Sequence, residues 1–303
     1  MAERGHRSSS DLQAALVPFE RDAHIVGITG PPGAGKSTLT SALIGAYRNR
    51  NEHVGVVAVD PSSPITGGSL LGDRVRMREH ALDEGVHIRS MATSGSLGGV
   101  ARATNQALRI MSAAGCSVVF VETVGVGQSE VDVVDMADTV VVLVAPGAGD
   151  DIQSQKAGIA EMGDIIAVNK NDQDGAEETY RILSRMVHYD AVSSWQRPVV
   201  RTTALSGDVD ELLAALDRHW AWLDEGNERA SRRERRAASE LRQTTLDVLR
   251  RRLENDAQRT LIKSLTSAVA DGSIRNEAAV QSLLDALLAE QSAESRLTTS
   301  VTP

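Results

Sequence analysis

Cysteine, aromatic side chains, long apolar runs and positive charge are all in short supply in this chain of 303 residues. Its single cysteine, Cys116, excludes an internal disulfide and any multi-cysteine zinc site. Cys116 stands beside the strand-like residues 118–121, a setting in which a thiol packs rather than reacts. Seven scattered histidines form no cluster with metal-ligand spacing. No stretch has the apolar length needed to span a bilayer, and the N-terminus lacks the apolar core of a signal peptide. A net charge of −9 argues against nucleic acid as the main partner. These absences read as a cytoplasmic chain with no nucleic-acid and no membrane partner.

Aromatics make up 3% of the chain, so its core must be aliphatic. Short runs rich in valine and isoleucine occur at 25–28, 54–59, 118–121, 140–144, 165–168 and 199–200, separated in many places by helical stretches. Continuous apolar runs suit parallel strands buried on both faces. Their alternation with helices predicts βαβ units and an α/β fold with a mostly parallel, doubly wound sheet. In such sheets ligands bind beyond the carboxyl ends of the strands, which makes the polar motifs directly after strands informative.

The strongest of these motifs follows the first strand. Residues 30–38 read Gly30, Pro31, Pro32, Gly33, Ala34, Gly35, Lys36, Ser37 and Thr38, a complete phosphate-binding loop opening a helix-like stretch through 44. The glycines let the backbone approach phosphates and turn its N–H groups inward, and the helix N-terminus adds partial positive charge. Lys36 is placed to reach the β- and γ-phosphates, and the Ser37 hydroxyl to face Mg²⁺.

Other strand ends add acids and a base-reading motif. Asp60 follows the second strand, and Asp73 lies in the glycine-rich string 67–74. Both are candidate metal-side carboxylates, because Mg²⁺ takes oxygen ligands. Asp60 has a second reading, as a turn residue before Pro61. Glu122 ends the valine strand at 118–121, the position of a Walker-B-type acid, with a solvated strand end as the bland alternative. Gly125, just beyond it, offers a backbone N–H to a γ-phosphate. After 165–168 come Asn169, Lys170, Asn171 and Asp172, the N-K-x-D pattern of guanine recognition. Asp172 accepts two hydrogen bonds from the guanine N1–H and exocyclic amine, an arrangement that adenine does not offer. Asn169 meets N7 and braces the phosphate loop, and the Lys170 stem covers the base. Thr203, Ala204 and Leu205 then supply a backbone N–H for guanine O6. The expected ligands are GTP and GDP with Mg²⁺.

The C-terminal region changes character. Residues 228–236 form a charge run that reads as a solvated helix face. Three apolar stripes follow at helical spacing: Leu241, Thr245, Val248, Leu249 and Leu253; Leu261, Leu265 and Val269; and Val280, Leu283, Leu284, Leu287 and Leu288. Gly272 breaks the helix before the last stripe. The stripes must bury against something, either the chain's own first domain or a second copy. The expected organisation is a short extension at 1–22, a GTPase domain at 23–225, a helical region at 226–291 and a tail at 292–303.

The strings 30–38, 59–63, 67–73, 94–99, 121–130 and 146–150 resemble the MeaB/ArgK-type G proteins, a family related to the methylmalonic aciduria type A protein. The resemblance covers about residues 24–225. It implies a P-loop NTPase with a SIMIBI-type G domain and a C-terminal helical dimerisation arm. It implies a GTPase acting as a homodimer on an adenosylcobalamin-dependent acyl-CoA mutase, with adenosylcobalamin met only through that partner. On the same basis Lys36 and Ser37 hold phosphates and Mg²⁺, Asp60 and Asp73 are switch I acids, and Glu122 is the switch II acid. Residues 147–156 match a third switch, whose Lys156 would couple nucleotide state to the mutase; as a lone residue, Lys156 also reads as a solvated helix charge. Val209 stands where the guanine loop often has a second glycine. A nickel-delivery GTPase and a non-catalytic, GTP-dependent dimer scaffold are the competing readings.

Overall fold

Strict alternation of apolar side chains along each strand builds the two faces of one sheet. On one face pack Val26, Ile28, Val54, Val56, Val118, Phe120, Val141, Leu143, Ile165 and Ala167. Their chain neighbours Ile25, Val57, Val119, Val121, Val140, Val142, Ile166 and Val168 pack on the other. The computed structural model describes residues 15–19, 21–61, 77–80, 82–93, 99–123, 136–147, 163–188 and 195–299.

Within these the strands are β1 (His24–Thr29), β2 (Val54–Pro61), β3 (Val86–Thr93), β4 (Val118–Thr123), β5 (Thr139–Val144), β6 (Ile165–Val168) and β7 (Val199–Arg201). They form a parallel seven-stranded sheet in the order β3-β2-β4-β1-β5-β6-β7. The sequence reading overlooked β3. An edge strand, it carries His87, Arg89, Ser90 and Thr93 among its apolar residues, and these polar residues break the apolar run that marks a central strand.

Helices α1 (Lys36–Asn49) and α4 (Asp210–Glu225) supply the first core face, and α2 (Gly99–Ala113) and α3 (Ala176–His188) the second. Leu39, Leu43 and Ile44 of α1 are fully buried. At about 1.5–3 kcal/mol each, their burial outweighs the poor helix propensity of Thr38, Thr40 and Gly45 in the same helix. Cys116 is buried at 1% exposure, and burial pushes its thiol up to about 11, so it packs and does not react. No helix among the described residues is long and apolar enough to cross a membrane.

The chain divides into two compact units, Met1–Glu240 and Leu241–Pro303, and α5 (Glu228–Leu253) runs through the division. In the second unit α6 (Asp256–Ala270) is capped by the Asn255 side chain, which accepts from the Gln258 N–H at 2.8 Å. A turn with Gly272 at φ 77° leads to α7 (Asn276–Thr299), which continues past residue 292.

The start of α5 corrects the expectation of a solvated charge run. Arg232 grips Asp164 through both nitrogens at 2.8 and 2.7 Å and donates to the Asp138 carbonyl at 2.7 Å. Arg236 pairs with Asp138, and Arg229 with Asp22 and Asp224. These three arginines are only 15–18% exposed on their side chains. Their spacing along α5 puts them on one face; Asp22, Asp138 and Asp164 lie at the amino ends of β1, β5 and β6, and Asp224 in the last turn of α4. Arg233 also pairs with Asp22 but stays half exposed, so the outer side of the run is solvated as the composition implies.

Behind this clamp lies a buried polar relay. The Thr139 hydroxyl sits 2.6 Å from His24 Nε2 and 2.7 Å from His219 Nδ1. His219 turns Nε2 toward Asp164 at 3.5 Å, and the Thr139 hydroxyl links the two imidazoles. His24 stacks on Trp220, and His219 lies against Trp195 and Trp222, which gathers all three tryptophans of the chain here. Burial, then the nearby His219, Arg229 and Arg232, hold the His24 pKa down to about 3. Burial also holds His219 to about 4 against the pull of Asp164. Burial alone would raise the Asp164 carboxyl, but the Arg232 hydrogen bonds and the neighbouring charges bring it below the usual carboxylate range.

Because both histidines bind a proton more readily unfolded, near 6.5, than folded, stability is complete above that pH and falls as the pH drops toward 4. Below 3.8 the protonation of Asp164 adds to the loss. We predict that urea unfolding, followed by tryptophan fluorescence, gives a stability lower by about 1 kcal/mol or more per histidine at about pH 5.5 than at about pH 7.5. Replacing His219 with glutamine should flatten that dependence; an unchanged slope would refute this account.

Candidate nucleotide-binding site

Strand register brings the loop after β1 and the acid of β4 together. Ile28 of β1 lies opposite Glu122 of β4, so the carboxylate arrives beside the loop that begins at Gly30. Gly30 has φ 140°, and a side chain there would drive its Cβ to 2.2 Å from the Leu143 carbonyl oxygen of β5. Gly35 has φ 98°, and its absent Cβ would stand 2.5 Å from the Asn169 amide nitrogen. Both positions require glycine on two counts, conformation and space. Around Gly33, with φ 79°, the space is open, so conformation alone favours glycine there.

Lys36 is the first residue of α1 and is buried at 7% exposure. Its ammonium folds back over the loop and donates to the carbonyls of Gly30 at 2.6 Å and Pro31 at 3.1 Å. No side chain caps α1, and its first turn carries no acid. The partial positive charge of that helix end therefore faces the loop, an arrangement that suits a phosphate. Ser37, in the same turn, donates its hydroxyl to Glu122 Oε1 at 2.5 Å. Glu122 is 4% exposed, and its second oxygen lies 3.2 Å from the Thr40 hydroxyl. A serine hydroxyl beside a buried carboxylate at the mouth of a phosphate loop is an oxygen donor set that fits Mg²⁺.

Asn169 joins three segments. Its amide nitrogen donates to the Ala34 carbonyl at 2.9 Å, while its oxygen accepts from the Thr202 hydroxyl at 3.2 Å and the Ala204 N–H at 3.1 Å. Lys170, held at φ 57°, reaches across to the Gly33 carbonyl at 2.9 Å. Asn171 donates its N–H to the Thr202 carbonyl at 3.1 Å, which lays the 169–172 turn against the next loop and leaves Asp172 exposed. That next loop is closed by a bridge between Thr203 and Asp208 and by a 3-10 turn at Ala204–Ser206. Leu205 at its tip is 90% exposed, whereas Val209 is buried and begins α4. A valine is accommodated there at φ −133°, a conformation that does not call for glycine.

Lys36, Ser37, Glu122, Asn169, Lys170, Thr203, Ala204 and the loop 30–38 are thus brought together, with Asp172 and Leu205 at the open side. Asp60 is described only in its backbone, at the end of β2 opposite Ala92. Asp73, Gly125 and Lys156 lie outside the described residues. Sequence reading missed two hydroxyls, those of Thr40 and Thr202, both fully buried. The signal for Thr40 was its spacing of three and four residues from Ser37 and Lys36, one helical turn along the same face. Thr202 carried no signal, since its partner is fixed only by the pairing of β6 with β7.

Replacing Asn169 with alanine leaves the Ala34 carbonyl and the Ala204 N–H buried without a partner. The expected loss is about 2–4 kcal/mol of stability without nucleotide, read from urea melts. A loss below about 0.5 kcal/mol would show that the three segments hold together without this amide.

Comparison with known proteins agrees with this geometry. The sequence model of the family described as "Methylmalonyl Co-A mutase-associated GTPase MeaB" matches residues 2–258. A protein of Pyrococcus horikoshii named as a GTPase is 46% identical over 259 residues, 84% of this chain and 82% of its own length. The methylmalonic aciduria type A homolog of Mus musculus, mitochondrial by its name, is 43% identical over 188 residues, 60% of this chain and 45% of its own. The crystal structure described as an LAO/AO transport system kinase has a TM-score of 0.67 at 27% identity, covering 92% of this chain and 86% of that one. The parallel sheet, the loop cradled on β1 and α1, and a match over most of its length make this chain a member of the MeaB family of P-loop GTPases.

Proposed function

We propose that this GTPase gates the delivery of adenosylcobalamin to an adenosylcobalamin-dependent acyl-CoA mutase and protects or reactivates that mutase. The observation that carries the nucleotide half is the hydrogen-bonded set of Lys36, Ser37, Glu122 and Asn169 around one open loop. The family description, which names a methylmalonyl-CoA mutase, carries the partner half.

In this reading the loop amides of 33–37 and the α1 N-terminus receive the phosphates. Lys36 leaves the carbonyls of Gly30 and Pro31 for the β- and γ-phosphates, so its charge is already stored beside the loop before the ligand arrives. Ser37 and Glu122, together with Asp60 and Asp73, hold Mg²⁺, which supplies Lewis-acid neutralisation of phosphate charge when bound. Asp172 reads the guanine N1–H and amine, Asn169 keeps the loop and the Ala204 turn in register, and the N–H groups of 203–205 face O6. Water then bonds to the γ-phosphorus as its bond to the β–γ bridging oxygen breaks. GDP and inorganic phosphate result, and the water proton passes to phosphate. Gly125 senses whether the γ-phosphate is present, and Lys156 carries that state to the mutase.

The second unit supports a homodimer. Leu284 and Leu288 of α7, drawn from a predicted stripe, are 47% and 62% exposed, and an apolar helical face of this kind is stabilised by a second copy. Sedimentation should give twice the chain mass, and Leu284→Asp combined with Leu288→Asp should halve it. A monomer in the unaltered protein would remove the dimer from this reading.

Asp172→Asn should weaken GTP binding roughly hundred-fold and favour xanthosine triphosphate, whose C2 carbonyl accepts from the new amide. Unchanged GTP affinity would remove Asp172 from base reading. Turnover of GTP by the purified protein should be slow and should accelerate with one adenosylcobalamin-dependent mutase from the same source. Lys36→Ala should abolish that acceleration. Failure of every such mutase to accelerate turnover would overturn the mutase reading and leave the GTPase intact.

A further inference from the structure

A carboxylate that must point one oxygen at a serine and a metal needs its plane fixed, and the terminal torsion of a glutamate is broad and roughly two-fold. One hydrogen bond to one oxygen leaves the group free to turn about its last bond. Among the described residues, Glu122 has two donors on two different oxygens. Ser37 donates to Oε1 at 2.5 Å, and Thr40, one turn further along α1, reaches Oε2 at 3.2 Å. The Thr40 hydroxyl also lies 3.0 Å from the Lys36 carbonyl. Its single proton is shared between the two acceptors, and the carboxylate, being charged, is the stronger one. Thr40 is fully buried, so no water competes for that proton and none could replace it. The back-bond to Lys36 has a further effect: it fixes the Thr40 side chain relative to the turn that carries both Lys36 and Ser37. Lysine, serine and carboxylate are thereby referred to one rigid stretch of helix.

We propose that Thr40 is a positioning residue for GTP hydrolysis, one that orients the Glu122 carboxylate and touches neither nucleotide nor metal. This rests on the reading of Glu122 as the metal-side acid. Thr40 acts through the second oxygen so that the first stays aimed at Ser37 when the serine oxygen turns its lone pair to Mg²⁺.

The test is Thr40→Val, which keeps the shape of the side chain and removes the donor. GTP turnover is measured across a Mg²⁺ titration, with the binding of fluorescent GDP in chelator and a thermal melt as controls. The expected result is a kcat lower by roughly ten-fold and a higher Mg²⁺ half-saturation, with the KM for GTP at saturating Mg²⁺ and the metal-free GDP affinity unchanged. Thr40→Ser should restore both parameters. A role in packing alone would instead lower the melting temperature and leave the Mg²⁺ half-saturation where it was. Should Thr40→Val fold poorly, Thr40→Ala removes the same donor without placing a methyl group against the carboxylate, and the same two parameters decide. Wild-type kcat and Mg²⁺ dependence in the donor-less variant, alongside an impaired Glu122→Gln, would overturn the proposal and spare the reading of Glu122. Wild-type behaviour of Glu122→Gln would overturn both.

Discussion

The Asn169 side chain holds the site together, because one buried amide ties its own turn to groups from two other loops that the sheet delivers to the same edge. It spans 135 residues of sequence to reach Ala34, and 35 to reach Ala204. Its position also dictates the glycine at 35, where a methyl group would occupy the space of the amide nitrogen. Loop conformation, helix start and base-side turn are thus consequences of a single hydrogen-bonded group. Such a group is effective only when dry, since water would compete for every one of its partners; Asn169 is 2% exposed.

The two ends of the sheet do different work. At the carboxyl ends, glycines in left-handed conformations, a helix start and a lysine folded over the loop form an arrangement that suits a phosphate. At the amino ends, protein groups pair with one another: arginines of α5 with Asp138 and Asp164, and Thr139 with two histidines. The first region keeps interactions in reserve for a ligand, while the second uses them to seat α5. Because α5 continues into the second unit, its root belongs to the GTPase unit rather than to a linker. Buried pairs of this kind give little net stability relative to an apolar replacement, but breaking one leaves an uncompensated charge, so they define where the helix sits.

Much of this was legible in residue order. Glycine, lysine and serine at 30, 36 and 37 can serve few local structures other than a phosphate loop, and valine runs long enough for one strand and broken by polar ends read directly as parallel strands. Edge strand β3 was not legible, because its residues face a solvated margin and lack the double-sided burial that makes a central strand recognisable. The arginine run of α5 misled for a related reason: charge patterning along a helix carries no information on whether acids wait opposite. Neither the Thr139 relay nor the part played by Thr202 has any local signature.

Local chemistry and short-range periodicity are written in the sequence, which by itself determined the phosphate loop, the α/β class and the helical character of the C-terminal region. Tertiary structure alone decided which hydroxyls meet Glu122, which amide braces Gly35, and which acids neutralise α5. Those pairings depend on strand order and register, and register is set by the packing of both sheet faces at once rather than by any one segment.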